Sequence, residues 1–283
     1  MKTKKAVVFI SGQSNAHAHG QLLPESDRIT QPLSNVFSLD RDPNQSFDIR
    51  GITWSGFTTS GKNLGESQDH TCSFGYYLAK MWQSAIDAGA ALPDLYIVQI
   101  SIGPQGILNG MWNRDKEKIL IPGPLGTVNI ALFPLARHIY SLVMADLHDP
   151  EVLGFHWLGS EQEIWNEAYM SPELDERYDH FFDSMLSSIG VPCPVYFYET
   201  YLKLCCQRFG IPEKAAAGVN AALYRQAKRL DATLVRAQDS PFWNPDAPGF
   251  GIFAPDNAHY TARVQHWYAQ QFFDEICGRL LLC

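Results

Sequence analysis

A chain of 283 residues, 46% hydrophobic and 18% charged, has the apolar mass for a full core and suits one large α/β domain, at most two. Its net charge of -8 and pI of about 5.5 disfavour nucleic acid and anionic membrane surfaces as partners. No run approaches the ~20 apolar residues of a membrane span.

Met1–Lys5 is basic like the start of a signal peptide, but only Ala6 to Ile10 follow as an apolar run, too short for its core. A cytoplasmic location is expected, with export left open for a longer native chain. Val7 to Ile10 reads as a strand buried on both faces, since no polar residue alternates to wet one side. Gly12 allows a sharp turn at its end, from which Ser14 projects. A serine beyond the carboxyl end of a sheet strand is a nucleophile if a base reaches it. The other reading is a helix N-cap.

A polar, turn-rich tract from about His17 to Gly65 is too long for a simple connector and is expected to pass over the site. Gly51–Trp54 is a candidate strand within it. His17 and His19 have metal-ligand chemistry, but no third ligand is near in sequence; a wall of a substrate cleft is the better reading, and no metal is expected. Phe74, Tyr77, Leu78 and Met81 form the core stripe of a helix. Leu95 to Ile100 is the next buried strand and ends at Gly103. Gly110 to Thr127 reads as a loop in which Trp112 either stacks on a sugar ring or packs locally.

Leu132 to Leu147 is a helix, and Val152 to Leu158 a strand delivering Gly159, Ser160 and Glu161 to the same sheet edge. Glu161 and Glu163 resemble a glycosidase pair only weakly; structural hydrogen bonding by Glu161 is the better reading. Leu174 to Ile189 is a helix stopped by Gly190 and Pro192. Val195 to Tyr198 is a strand; Glu199 and Thr200 at its end are candidates to line the cleft, with nothing in the sequence to fix a role. Pro212 to Leu230 is a helix, Ala232 to Val235 a last strand, and Thr261 to Leu281 a closing helix. The six cysteines make no C-x-x-C pattern and are expected to be free thiols. Ser11–Ser14 lacks the lysine of a phosphate loop. Strands alternating with helices imply a mostly parallel sheet covered on both faces.

Before the closing helix stands Asp256-Asn257-Ala258-His259. This spacing brings a carboxylate and an imidazole within reach on one turn. Acyl transfer needs that pair, with His as general base and Asp to hold its tautomer and stabilise the imidazolium. The plainer reading is an Asp helix cap beside a surface His.

Together, Gly12-Gln13-Ser14-Asn15 and Asp256-x-x-His259 resemble the SGNH hydrolases, in particular the sialate O-acetylesterase-like branch that includes the acetylxylan esterases of carbohydrate esterase family six. The resemblance runs in block order over nearly the whole chain. It implies a flavodoxin-like three-layer α/β/α sandwich in one domain over residues 1–283. It also implies a catalytic set of Ser14, Asp256 and His259 with no cofactor, and an oxyanion hole from the N–H groups of Ser14 and Gly103. Gln13, Asn15, Trp112 and Glu161 would face the substrate. The block Trp157-Leu158-Gly159-Ser160-Glu161 departs from the family's Trp-x-Gln-Gly-Glu: Gly159 stands where a glutamine completes the hole, leaving a backbone N–H, Ser160 or Gln162 to substitute. The expectation is a serine esterase acting on O-acetylated carbohydrate of xylan or sialic acid type. The alternatives are a carbohydrate-binding pseudoenzyme and an esterase for other acyl groups.

Overall fold

Strand β1 (Lys5–Gly12) is the axis of the fold, with every residue from Ala6 to Gly12 buried. Ala6, Val8 and Ile10 face one core; Val7 and Phe9 face the other. Each fully buried Val, Ile or Phe side chain contributes roughly 1.5–3 kcal/mol relative to exposure. The computed structural model describes residues 5–39, 52–59 and 70–280, apart from positions 104, 109, 111, 115–118, 124–125, 131, 166–170 and 257.

Around β1 lie β2 (Val36–Leu39), β3 (Trp54–Gly56), β4 (Asp94–Ser101), β7 (Glu151–Leu158), β8 (Val195–Glu199) and β9 (Thr233–Arg236), making a seven-stranded sheet of order β3-β2-β4-β1-β7-β8-β9. All pairings are parallel except β2 with the edge strand β3. The run β4-β1-β7-β8-β9 has the flavodoxin-like order, and its topological switch point lies between β1 and β7, where such sheets bind ligands. Helices α1 (Phe74–Asp87) and α7 (Ala262–Leu280) cover one face, and α2 (Leu132–Leu147), α4 (Leu174–Ile189) and α6 (Glu213–Arg229) the other. This is the expected α/β sandwich.

Several local expectations need correction. The stretch read as a loop contains a hairpin, β5 (Ile119–Gly123) with β6 (Gly126–Ile130). In α1 the buried face runs through Phe74, Leu78 and Trp82, with Tyr77 and Met81 only half-buried. Two short helices were not anticipated, α3 (Glu161–Trp165) and α5 (Leu202–Phe209). The tract after Ser14 contributes β2 and β3 to the sheet edge; Trp54 opens β3, and Gly51 lies outside the described residues. Cys72, Cys193, Cys206 and Cys277 are free thiols. Among the described residues, no helix is long and apolar enough to cross a membrane.

Candidate active site

Three neighbouring strands end at one place. At the end of β1, Gly12 adopts φ 152°, and a Cβ there would collide with the Leu158 carbonyl of β7. Glycine is therefore required for the two backbones to close, and the Gln13 N–H then donates to Leu158 O at 2.9 Å. Ser14 tops a run of turns, not a helix, so the N-cap reading does not hold. From β4, Gly103 lies against Ser14, and a Cβ on it would sit 2.6 Å from Ser14 Cβ and 3.0 Å from Ser14 N. That approach sets the Gly103 backbone beside the Ser14 backbone.

Beyond β7 the chain is strained. Ser160, fully buried, adopts φ 119°, a region glycine favours. It is held there by Tyr178, whose hydroxyl donates to Ser160 Oγ at 3.1 Å. The first turn of α3 then turns two carboxylates inward. Glu163 accepts from the Ile107 and Leu108 N–H groups and so pins the loop that carries Gly103. Gln13 Nε2 also donates to it, at 3.4 Å. Burial pushes the Glu163 carboxyl up to about 7 against these donors. Glu161 is half-buried, and desolvation raises its carboxyl.

The C-terminal block completes the arrangement. His259 Nδ1 meets Asp256 Oδ2 at 2.5 Å, while Asp256 Oδ1 accepts from the Ala258 and His259 N–H groups at 3.0 and 3.1 Å. Partial burial would raise the Asp256 carboxyl, but the His259 bond and those two N–H groups outweigh it and hold it below the usual range. With Nδ1 facing a carboxylate, the neutral ring carries its proton on Nδ1 and leaves Nε2 as the basic nitrogen. Asn15 ties this block to the serine turn: Nδ2 donates to Glu161 Oε1 at 2.9 Å and to Ala258 O at 3.2 Å, and Oδ1 accepts the Tyr260 N–H at 3.0 Å.

Ser14, Gly103 and His259 line one cavity of about 370 Å³. Ser14 and His259 share it without a direct hydrogen bond, as empty sites commonly do before substrate tightens them. Solved structures with the same architecture include NanS, at 15% identity and TM-score 0.65 over 99% of both chains. An Arabidopsis thaliana protein aligns at 12% identity and TM-score 0.59 over 98% of both chains. The chain has the SGNH-hydrolase fold. No family model matches it, and no curated protein matches its sequence.

In this cavity the expected residues take different places. Ser14, Gly103, Gln13, Asn15 and Glu161 line it with His259, and Asp256 stands behind the imidazole. Gln13 and Asn15 are nearly fully buried, and their amides are committed to protein partners. Trp112 is a correction. It is fully buried, donates Nε1–H to Gly12 O at 3.2 Å and packs edge-on against Trp157 and Phe181, away from the cavity. A Cβ on Gly159 would lie 3.1–3.2 Å from the Trp157 and Gln13 side chains, so a larger residue there needs them to give by a few tenths of an ångström.

His19 lines the cavity with its ring 5.3 Å from that of His259, as the cleft-wall reading expects. His17 sits behind it, buried and pushed down to about 3 by desolvation and by His19 and His259. Among the described residues no cluster of metal-ligating side chains forms. Sequence reasoning did not single out Trp165, Phe253 and Arg208, which also line the cavity. Trp165 is half-exposed, and Arg208 donates to the Asp256 backbone carbonyl. Arg208 belongs to α5, an element without a capping signal in the sequence.

Proposed function

We propose that the protein is a serine esterase that removes O-acetyl groups from a carbohydrate through an acyl-enzyme. The observation that carries this reading is the Asp256–His259 pair, held by Asn15 over the cavity that Ser14 enters. Ser14 Oγ attacks the acetyl carbonyl while His259 Nε2 takes its proton. The carbonyl oxygen becomes an oxyanion facing the Ser14 and Gly103 N–H groups. His259 returns the proton to the leaving sugar oxygen as that C–O bond breaks. Water, deprotonated by the same nitrogen, then adds to the acyl-enzyme, and acetate leaves with Ser14 regaining its proton. No metal or organic cofactor takes part.

The aromatic wall supports a sugar as the leaving group. Trp165, half-exposed, offers an apolar face for a pyranose ring, with the edge of the buried Phe253 in the same wall. Arg208 places a guanidinium at the same wall of an acidic protein, which favours an acidic sugar of sialic type over xylan.

A fluorophosphonate probe and a panel of acetylated glycans test the proposal together. Labelling and acetate release by the wild type, both lost in Ser14→Ala, are the expected result. A folded wild type that neither labels nor releases acetate, yet binds the glycans, would identify the binding-protein alternative instead.

A further inference from the structure

Two imidazoles stand side by side in the cavity wall, and the chemistry above uses one of them. The His19 ring lies 5.3 Å from that of His259, centroid to centroid, and both line the space that Ser14 enters. The backbone ties His19 to the serine as well, its N–H donating to the Ser14 carbonyl at 2.9 Å. Between His17 and His19 the fully buried Ala18 adopts φ 54°, a left-handed conformation that residues other than glycine seldom take and that clusters at functional sites. Across it the two rings meet edge to face at 5.6 Å, His17 buried and His19 exposed.

The buried ring decides which nitrogen of the exposed one carries a hydrogen. His17 Nε2 lies 3.5 Å from His19 Nδ1, while His17 Nδ1 has no hydrogen-bond partner among the described residues. Buried N–H groups are left unpaired more rarely than buried acceptors. Neutral His17 therefore keeps its hydrogen on Nε2 and donates it to His19 Nδ1. Desolvation holds His17 in that neutral form. His19, accepting on Nδ1, then carries its own hydrogen on Nε2. It offers a donor where His259 offers a base.

The direction of the reaction says which half of the ester meets this donor. The acyl oxygen turns toward the Ser14 and Gly103 N–H groups. The leaving oxygen must lie at His259 Nε2 to be reprotonated, so the alcohol it belongs to passes beside the His259 ring, where His19 forms the wall. We propose that His19 is a specificity-determining residue, donating its Nε2–H to an oxygen that the departing sugar carries beside the ester. The inference rests on the reading of Ser14 as the nucleophile and of a sugar as the leaving group. His19 transfers no proton: its hydrogen stays on Nε2 while His259 protonates the leaving oxygen. A carbohydrate supplies an acceptor there, as a hydroxyl or ring oxygen on a neighbouring carbon. A plain aryl ester supplies none, and a site built around a polar partner discriminates against substrates that lack it.

His19→Phe, which keeps a ring but no donor, and His19→Gln, whose amide N–H stands near the place of Nε2, are compared with wild type and Ser14→Ala. The readouts are kcat/KM for an acetylated sugar (O-acetylated sialic acid or acetylated xylan, whichever the wild type turns over), kcat/KM for 4-nitrophenyl acetate, the rate of phosphonylation by a fluorophosphonate, and the urea unfolding midpoint. The expected result is a fall of about 10-fold in the ratio of the sugar to the aryl kcat/KM for His19→Phe, the size of one ordinary hydrogen bond, with most of it recovered in His19→Gln. An equal fall on both esters, or an unchanged ratio in a folded His19→Phe that still labels, overturns the assignment. His19→Gln no better than His19→Phe overturns the donor role. A wild type that labels and cleaves 4-nitrophenyl acetate but frees no acetate from sugars overturns the sugar reading and this inference with it. A wild type that does not label at all overturns the nucleophile reading first.

Discussion

Asn15 and Tyr260, 245 positions apart, are joined by a 3.0 Å hydrogen bond from the Tyr260 N–H to Asn15 Oδ1. The same amide donates to Ala258 O, so the residue after Ser14 grips the chain on both sides of His259. The Asn15 carboxamide thus fixes the His259 imidazole relative to Ser14. Gln265 Nε2 adds a third tie to the C-terminal segment, donating to the Asn15 carbonyl at 2.8 Å.

Asn15→Ala leaves the buried Tyr260 N–H and Glu161 Oε1 without their partner. An unsatisfied buried group costs about 1–3 kcal/mol, so urea denaturation should show a loss at the upper end of that range. Activity should fall further than stability, because the His259 loop is no longer indexed to Ser14. Asn15→Asp should be no rescue: it keeps the acceptor but sets a second carboxylate beside Glu161. An Asn15→Ala protein with wild-type kcat would show that the loop holds its place unaided.

Trp165→Ala should discriminate between substrates. Removing the half-exposed indole takes away a stacking face worth about 0.5–1.5 kcal/mol, roughly a 2- to 12-fold rise in KM for an acetylated sugar. KM for 4-nitrophenyl acetate measured in parallel should change little, because its acyl group is the same and it offers no sugar ring. Equal effects on both substrates would count against a sugar platform.

The strands and the two terminal blocks were legible because physics writes them plainly. Runs rich in β-branched residues, such as Val7 to Ile10 and Leu95 to Ile100, favour burial on both faces, and both became central strands. Asp256 and His259 lie within one turn, so their bond needed only local geometry. What was hidden depended on distant packing. Nothing near Trp112 in sequence says that Trp157 and Phe181 enclose it. Asn15 reads as a substrate ligand until the chain's other end arrives to consume its amide. Arg208 sits on a short helix whose N-cap, Tyr201, makes no side-chain cap bond, so no signal announced the element that carries it to the cavity.

Acid should unfold the protein partly through two buried histidines. His156 is fully buried, stacked on Tyr196 with ring centroids 4.6 Å apart and bonded to the Tyr198 hydroxyl at 3.0 Å. Desolvation pushes it down to about 3, as it does His17. In the unfolded chain each takes a proton near 6.5, so between about 6.5 and 3 the native state binds fewer protons and loses stability as pH falls. The slope is about 1.4 kcal/mol per pH unit for each residue inside that window. Buried carboxyls such as Glu163 act in the opposite sense, so the informative quantity is a difference. The stability gap between wild type and His156→Gln, from urea curves at several pH values, should close by about that slope below pH 6.5. A gap independent of pH would mean that His156 accepts its proton in the folded state.

Gly103→Ala should separate catalysis from folding more cleanly than any substitution of a charged residue. The added methyl lands 2.6 Å from Ser14 Cβ and 3.0 Å from its Cα and N, closer than real Cβ contacts come. The loop has little freedom to retreat, since Ile102 N–H donates to Gly12 O and Glu163 holds Ile107 and Leu108. Strain is therefore relieved by moving Ser14, Gly103 or both, by a few tenths of an ångström or more, at the place where both N–H groups must point at one oxygen. Misplacing such a donor lowers kcat on the order of 10²-fold or more, while the sheet beneath is untouched. Gly278→Ala in α7 is the matched control, because a Cβ there meets nothing within 4 Å. The control should keep full activity and gain about 0.5–1 kcal/mol of stability from helix propensity. Gly103→Ala should keep a cooperative unfolding transition but lose turnover and fluorophosphonate labelling together. A Gly103→Ala protein that labels at the wild-type rate would move the oxyanion site away from this loop.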